Sequence, residues 1–109
     1  MKLIIAIVQD DDAPDLIDVM NEKGIRVTKL ATTGGFLKAG NTTLMIGVED
    51  HKVDFVLSMI EDVCKVRKQI VSSPSPVAGS TGVYVPYPIE VDIGGATVFV
   101  VNVDQFLRI

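Results

Sequence analysis

The run of six apolar residues Leu3–Val8, LIIAIV, constrains the fold of this chain more than any other feature. A strand with one face in water alternates apolar and polar residues, whereas an unbroken run rich in isoleucine is typical of a strand buried on both faces. The sequence QDDDAPD follows and predicts a turn, and Pro14 suits the first turn of a helix. We therefore expect an interior strand at the start of the chain, followed at once by a helix.

The remaining residues alternate between strand and helix patterns. The predicted elements are a helix over Pro14–Lys23 ended by Gly24, strands over Ile25–Thr32 and Thr42–Val48, a helix capped by Asp50, a short strand over Gln69–Val71, a loop over Ser72–Gly82, and strands over Ile89–Ile93 and Thr97–Val103. Gly94-Gly95 predicts a two-residue turn that joins the last two strands as a hairpin. The order β-α-β-β-α-(β)-β-β predicts an α+β fold, the ferredoxin-like split βαβ arrangement with an extra C-terminal β-hairpin.

Length and charge limit the classes of function. The 109 residues fit one domain, residues 1–109. The net charge of −4 argues against nonspecific nucleic-acid binding, which depends on a basic surface, but it leaves room for a small anionic ligand in a local pocket. The apolar run at the start is too short for a signal peptide or a membrane span. We expect a cytoplasmic protein that binds neither nucleic acid nor membrane.

The sequence contains no recognisable catalytic constellation. It has neither a phosphate-binding Gly-x-x-x-x-Gly-Lys-Ser/Thr motif nor a Gly-x-Gly-x-x-Gly motif after a strand. His51, the single histidine, falls in the first turn of the second helix, where a solvated position is expected. Cys64 lies on the apolar stripe of that helix, as a small core residue does. Asp10, Asp11 and Asp12 suit a charged turn better than a cation site. The sequence therefore predicts a protein that is not an enzyme and that carries no metal or cofactor.

The segment from Lys23 to Val48 is positively charged, whereas the chain as a whole is negatively charged. It contains no acidic residue and four basic ones, although the whole sequence has 14 aspartates and glutamates. A glycine-rich stretch, TTGGFLKAGN, lies inside this segment, and its glycines allow backbone N–H groups to approach an anion. Arg26 and Thr28 stand two apart on a predicted strand and so face the same way, which suits a phosphate. The alternative is a solvated arginine beside a threonine chosen for its strand propensity.

Three further residues give this segment the features of a nucleotide site. Phe36 follows the paired glycines, and it either folds onto the core or stacks on a flat ligand. Asn41 offers a donor beside an acceptor, which complements the edge of adenine, although turn chemistry alone also explains it. Gly47 inside a strand indicates a close approach to the backbone, or else a twist or bulge. The residues alone predict a ligand-binding module, with an anionic nucleotide as the candidate ligand.

Three stretches resemble the PII-like cyclic di-AMP receptor proteins of bacteria: MKLIIAIVQDDD, RVTKLATTGGFLKAGNTTLMIGV and YPIEVDIGGATVFVVNVDQF. This resemblance runs along nearly the whole chain. It implies a homotrimer that binds one cyclic di-AMP in each cleft between neighbouring subunits. It also implies a signal receptor whose loops, Thr33–Gly40 and Ser72–Gly82, become ordered when the ligand binds. The downstream protein partner of such a receptor is not indicated by any residue.

The resemblance also implies a role for each residue of the site. Arg26 and Thr28 lie beside the phosphates, and Gly35 contributes its backbone amide. Phe36 and Leu37 cover an adenine, Asn41 and Gly47 recognise one, and Phe99 supplies an apolar wall.

Two other functions remain open at this point. The chain is also similar in topology to the nitrogen-regulatory PII proteins, which makes a sensor of a mononucleotide such as ATP the first alternative. The long loop of those proteins between strands two and three is only GGFLKAG in this sequence, so their ligands are not transferred. The second alternative is a non-catalytic interaction protein in which TTGGF packs a trimer.

Overall fold

A computed structural model of the chain describes residues 1–35, 38–76 and 84–109. The elements are β1 (Lys2–Gln9), α1 (Ala13–Glu22), β2 (Thr28–Gly35), β3 (Lys38–Val48), a 3₁₀ turn (Asp50–Lys52), α2 (Val53–Cys64), β4 (Arg67–Pro76), β5 (Tyr84–Ile93) and β6 (Ala96–Asn102).

Four of the strands form one antiparallel sheet in the order β2-β3-β1-β6. The LIIAIV run lies in β1, which pairs with β3 along its whole length, from Lys2 opposite Val48 to Gln9 opposite Asn41. On its other side β1 pairs with β6. Helix α1 connects β1 to β2 of this sheet, and α2 follows β3; the chain then forms β4 and β5 before it returns to the sheet as β6. The predicted α+β, ferredoxin-like fold with an additional hairpin is confirmed.

The helices pack on one face of the sheet and form the core there. Every second residue of β1 and β3 is buried on this face, and the helices contribute the rest of the cluster. The main buried side chains are Ile4, Ala6, Val8, Leu44, Ile46, Leu16, Met20, Val56, Met59, Ile60 and Cys64. We call this the covered face. The opposite face, which carries residues such as Ile5 and Met45, has no helix of the described residues against it, and we call it the open face.

The added hairpin consists of β4 and β5, which pair only with each other, from Arg67 opposite Ile93 to Pro76 opposite Tyr84. We call this pair the ribbon. The radius of gyration is 18.8 Å, against about 13 Å for a compact domain of this length, because the ribbon projects from the sheet. The prediction that Gly94-Gly95 joins two paired strands is wrong: β5 pairs with β4, whereas β6 pairs with β1.

Several predicted boundaries are also wrong. The second strand begins at Thr28 rather than Ile25 and continues to Gly35, so most of the glycine-rich stretch belongs to β2 and β3. The first part of the predicted Ser72–Gly82 loop is strand, because β4 extends to Pro76; residues 77–82 lie outside the described residues. Prolines are tolerated there because each strand of a two-stranded ribbon has an unpaired edge that needs no N–H donor.

The helices follow their apolar patterns closely. Helix α1 begins at Ala13, and Gly24 adopts the predicted left-handed conformation after it, with a φ of 74°. In α2 the stripe Val56, Ile60 and Cys64 is buried as predicted. Asp50 does not cap this helix; its carboxylate accepts a hydrogen bond of 2.8 Å from the N-terminal ammonium instead. Among the described residues, no helix combines the length and apolar character needed to cross a membrane.

Candidate ligand-binding site

Most of the described residues that were predicted to bind ligand lie on the open face. Thr28 in β2 pairs with Met45 in β3, which pairs with Ile5 in β1, which pairs with Phe99 in β6. Directly opposed residues of antiparallel strands share a face, so these four form one row across the sheet. The row spans three strand spacings, about 14 Å. Thr28 and Phe99 therefore stand at opposite edges of the same surface, and Phe99 is 53% exposed.

Arg26 and Gly47 meet at one end of the sheet, in a cavity of about 240 Å³. Arg26 precedes β2 rather than standing on it, so the prediction that Arg26 and Thr28 lie on one strand is wrong. Lys52 also lines this cavity and adds a second cationic side chain that the sequence did not single out. Two basic groups around one concave surface suit an anion such as a phosphate.

Gly47 leaves an open space over β3. The strand pairs regularly on both sides of it, with Leu3 opposite Gly47 and Ile4 opposite Ile46, which excludes a bulge at this position. A Cβ atom added at Gly47 would meet no atom of the described chain within 4 Å. The space that the missing side chain leaves is therefore available to another molecule.

The hydrogen bond from the N-terminal ammonium is the main cause that holds the pKa of Asp50 below its usual value. The ammonium group of Met1 is also 4.0 Å from the carboxylate of Glu49, so both acidic groups face the same cation. One ammonium therefore balances one of these two negative charges beside the cavity that Arg26 lines.

Asn41 lies at the other end of the sheet, six residues from Gly47 on the same strand. Six residues of antiparallel strand span about 20 Å. Asn41 lines a separate cavity of about 350 Å³ together with Gln9, Thr97 and the backbone around Gly94. Gly35 is near this end as well, because it pairs with Lys38 at the start of β3. Phe36 and Leu37 lie outside the described residues.

Five of the six described residues that were predicted to bind ligand thus fall into two groups in one chain, and Phe99 lies apart from both on β6. Arg26, Thr28 and Gly47 are at the end where β2 begins, whereas Gly35 and Asn41 are at the end where β3 begins. The structure brings together the members of each group, but it does not bring the two groups together.

An ion pair that the sequence did not indicate fixes the base of the ribbon. The buried carboxylate of Asp12 accepts hydrogen bonds from both terminal nitrogens of Arg67, with Nη2–Oδ1 at 2.6 Å and Nη1–Oδ2 at 3.3 Å. The bond to Asp12 is the main cause that raises the pKa of Arg67. The same guanidinium donates to the carbonyl oxygens of Val63 and Lys65 at the end of α2. No local pattern relates Asp12 to Arg67, 55 residues away, so this contact could not be predicted from the sequence.

The turn after β1 is also joined to the start of β3. The hydroxyl of Thr42 donates to Asp10 Oδ1 at 2.6 Å, and the Asp10 N–H donates to the Gly40 carbonyl at 3.0 Å. Asp10 and Asp12 therefore each have a structural partner, which agrees with the prediction that the aspartates form a charged turn. Among the described residues, no group of three or more potential metal ligands is close enough to hold an ion.

Cys64 and His51 have the environments that the sequence predicted. Cys64 is fully buried, and burial is the main cause that raises its pKa from 9.0 to about 11. The thiol is therefore protonated at neutral pH and is a poor nucleophile. His51 is exposed in the 3₁₀ turn.

Two comparisons with known proteins bear on this geometry. A family model described as "Cyclic-di-AMP receptor" matches residues 1–109. The chain is also similar to a functionally unknown protein from Pediococcus pentosaceus whose crystal structure is solved, with 47% sequence identity and a TM-score of 0.78. That match covers 99% of this chain and 96% of the other. Because the family model extends over every residue from Met1 to Ile109, this chain belongs to the cyclic-di-AMP receptor family.

Proposed function

We propose that this protein is a receptor for cyclic di-AMP that binds the dinucleotide between the subunits of a homotrimer. The membership of the family supports the choice of ligand. The chemistry of the predicted residues supports it too: a guanidinium and a lysine beside one cavity suit phosphates, and an amide at the other end suits the edge of adenine. In this function the chain acts as a binding protein without catalysis.

The observation that carries the proposal is the separation of the two residue groups along β3. Asn41 and Gly47 are about 20 Å apart on one strand, yet both are assigned to the recognition of one adenine, whose ring system is much shorter than this distance. One chain cannot therefore enclose the ligand with both groups at once. A neighbouring copy that brings its Asn41 end against the Arg26 end of the first copy completes the site.

The open face provides a surface on which copies of the chain can associate. It carries Leu3, Ile5, Ile7, Phe99 and Val101, and several of these large apolar side chains remain accessible in the single chain. A contiguous apolar surface of this kind is typical of a protein–protein interface. Assembly through this face would bring Thr28, Asn41 and Gly47, which lie on it, next to a neighbouring copy.

Calorimetric titration with cyclic di-AMP, cyclic di-GMP and ATP tests the ligand. We expect binding of cyclic di-AMP with one ligand per subunit. Heat from ATP alone would favour the mononucleotide sensor, and heat from no nucleotide would favour the interaction protein. Amide exchange measured with and without ligand tests loop ordering. Residues 33–40 and 72–82 should exchange more slowly when ligand is present.

Asn41→Ala tests the adenine contact. Its loss should weaken the binding of cyclic di-AMP by about 1–3 kcal/mol, because the edge of the base is left without its partner. Asn21→Ala, at the exposed end of α1, is the matched control and should leave the affinity unchanged. Equal affinities of the two variants would remove Asn41 from the site.

A further inference from the structure

Gln9 shares the cavity of Asn41 but was not indicated by the sequence. It is the last residue of β1 and stands directly opposite Asn41 in the sheet, so both side chains project from the open face. Both line the cavity of about 350 Å³ at this end, beside the Gly94-Gly95 turn. A second carboxamide is therefore present in the cavity where, in the proposed function, Asn41 recognises a base of the ligand.

The orientation of the Gln9 carboxamide is fixed by the backbone. Its Oε1 accepts a hydrogen bond of 2.8 Å from the N–H of Gly94. A backbone N–H can only donate, so the oxygen of the carboxamide must face Gly94 and the nitrogen must face away. This contact leaves the two N–H donors of Nε2 for other partners.

Gly94 is itself held in place, so the group that orients Gln9 is rigid. Its φ is 85°, and an added Cβ would lie 2.5 Å from the carbonyl oxygen of Lys65 and 2.9 Å from that of Cys64. The next N–H, that of Gly95, donates to the Cys64 carbonyl. Gly94 follows β5 directly, and the Asp12–Arg67 ion pair fixes the base of the same ribbon. The carboxamide of Gln9 is therefore oriented before any ligand arrives, which lowers the entropy cost of binding.

We propose that Gln9 is a further ligand-binding residue, which donates a hydrogen bond from Nε2 to a ring nitrogen of the adenine that enters this cavity. The ring nitrogens of adenine are acceptors, so they complement an amide whose oxygen is already engaged. This inference rests on the proposed function, because it assigns one more contact to the same ligand. It also connects the site to the ribbon, since the carboxamide that contacts the base is bonded to Gly94.

Two substitutions of Gln9 separate the effect of losing the N–H donors from the effect of an added charge. Gln9→Glu keeps an acceptor for the Gly94 N–H but removes the donors, and Gln9→Met removes donor and acceptor without adding charge. Each should weaken the binding of cyclic di-AMP roughly 10- to 100-fold in calorimetry, as expected for a lost hydrogen bond to a buried partner. Gln69→Glu, on an exposed position of β4, makes the same chemical change away from the cavity and should bind as the unaltered protein does.

The outcomes distinguish this inference from the proposed function. If the unaltered protein and Gln69→Glu bind cyclic di-AMP and both Gln9 variants bind equally well, Gln9 has no role and the proposed function stands. If only Gln9→Glu binds weakly, charge repulsion is the cause and the inference is wrong. If the unaltered protein does not bind the dinucleotide, both fail.

Nuclear magnetic resonance keeps the test valid if Gln9→Met destabilises the fold. The amide resonance of Gly94 in the unaltered protein should shift on addition of cyclic di-AMP, because its hydrogen-bond acceptor contacts the ligand. An unshifted Gly94 resonance in the saturated protein would overturn the inference.

Discussion

The two faces of the sheet are built from similar residues but have different surroundings. In β1, Ile4, Ala6 and Val8 point to the covered face and are at most 1% exposed. Their neighbours Ile5 and Ile7 point to the open face and are only half-buried. Both sets are apolar because the whole of β1 is an unbroken apolar run.

This difference explains why the sequence predicted that β1 is buried on both faces, although a single chain covers only one face. The helices supply the covering for one face, and no helix among the described residues supplies it for the other. Burying apolar surface stabilises a protein in proportion to the area removed from water, so the open face gains most from association with another molecule. Thr28, Gly47 and Phe99 lie on the same face, and the proposed ligand site and the proposed assembly therefore use one surface.

The largest effect should come from a truncation on the covered face. Leu44 is fully buried, whereas Met45, the next residue, projects from the open face. Leu44→Ala should lower the free energy of unfolding by about 2–5 kcal/mol, because it creates a cavity in a packed core. Denaturant unfolding monitored by circular dichroism measures this loss.

Met45→Ala is the matched control for Leu44→Ala. At protein concentrations too low for assembly, it should change the free energy of unfolding by less than about 1 kcal/mol, because its side chain is only partly covered in one chain. Equal losses for the two variants would mean that the faces do not differ as described.

A smaller effect is expected for assembly, and two adjacent valines of β6 isolate it. Val101 pairs with Leu3 on the open face, and Val100 pairs with Ile4 on the covered side. Their exposed fractions, 45% and 44%, are almost equal at this edge strand. Val101→Glu should weaken self-association by about 1–3 kcal/mol per subunit, since it buries an unpaired polar group in the interface. Sedimentation velocity over a range of concentrations measures the change.

Val100→Glu alters the same edge strand on its other side and should leave the sedimentation behaviour close to that of the unaltered protein. A trimer that survives Val101→Glu at every concentration would exclude the open face as the assembly surface. Dissociation by both substitutions would show instead that any charge in β6 is disruptive.

Local patterns predicted the elements of the fold better than their pairing. The alternation of Ile89, Val91 and Ile93, followed by Gly94-Gly95, resembles a hairpin, but the turn is bonded to Gln9 and Cys64 rather than closing one. The apolar residues of β6 lie beside β1, where Val98 packs against the core. Pairing with a strand that is distant in the sequence therefore determined the place of β6, and the short-range turn pattern did not.

The candidate site was predictable where residue type alone carries the chemistry. Arg26, Asn41 and Gly47 were identified by charge, amide or missing side chain, and each lines a cavity or leaves an open space in the structure. Gln9 was missed because a glutamine at the end of a strand carries no signal until Gly94 is brought beside it. The Asp12–Arg67 ion pair was missed for the same reason, since only the folded chain joins these distant residues.

The smallest expected effect is a dependence of stability on pH, which tests whether water reaches the core on the covered face. Cys64 packs there, and its pKa rises from 9.0 to about 11 because the thiolate is poorly solvated. A group whose pKa is raised by folding contributes its full stability below its unfolded pKa, and that contribution is lost as the pH rises. The free energy of unfolding should therefore fall between pH 9 and 11, by on the order of 1 kcal/mol at pH 10 through this residue. Cys64→Ala removes the thiol and is the control, because lysines and tyrosines titrate alike in both proteins. The unaltered protein should lose more stability than Cys64→Ala over this range, and parallel curves would mean that water reaches the thiol and that the covered side is less tightly packed than its burial indicates.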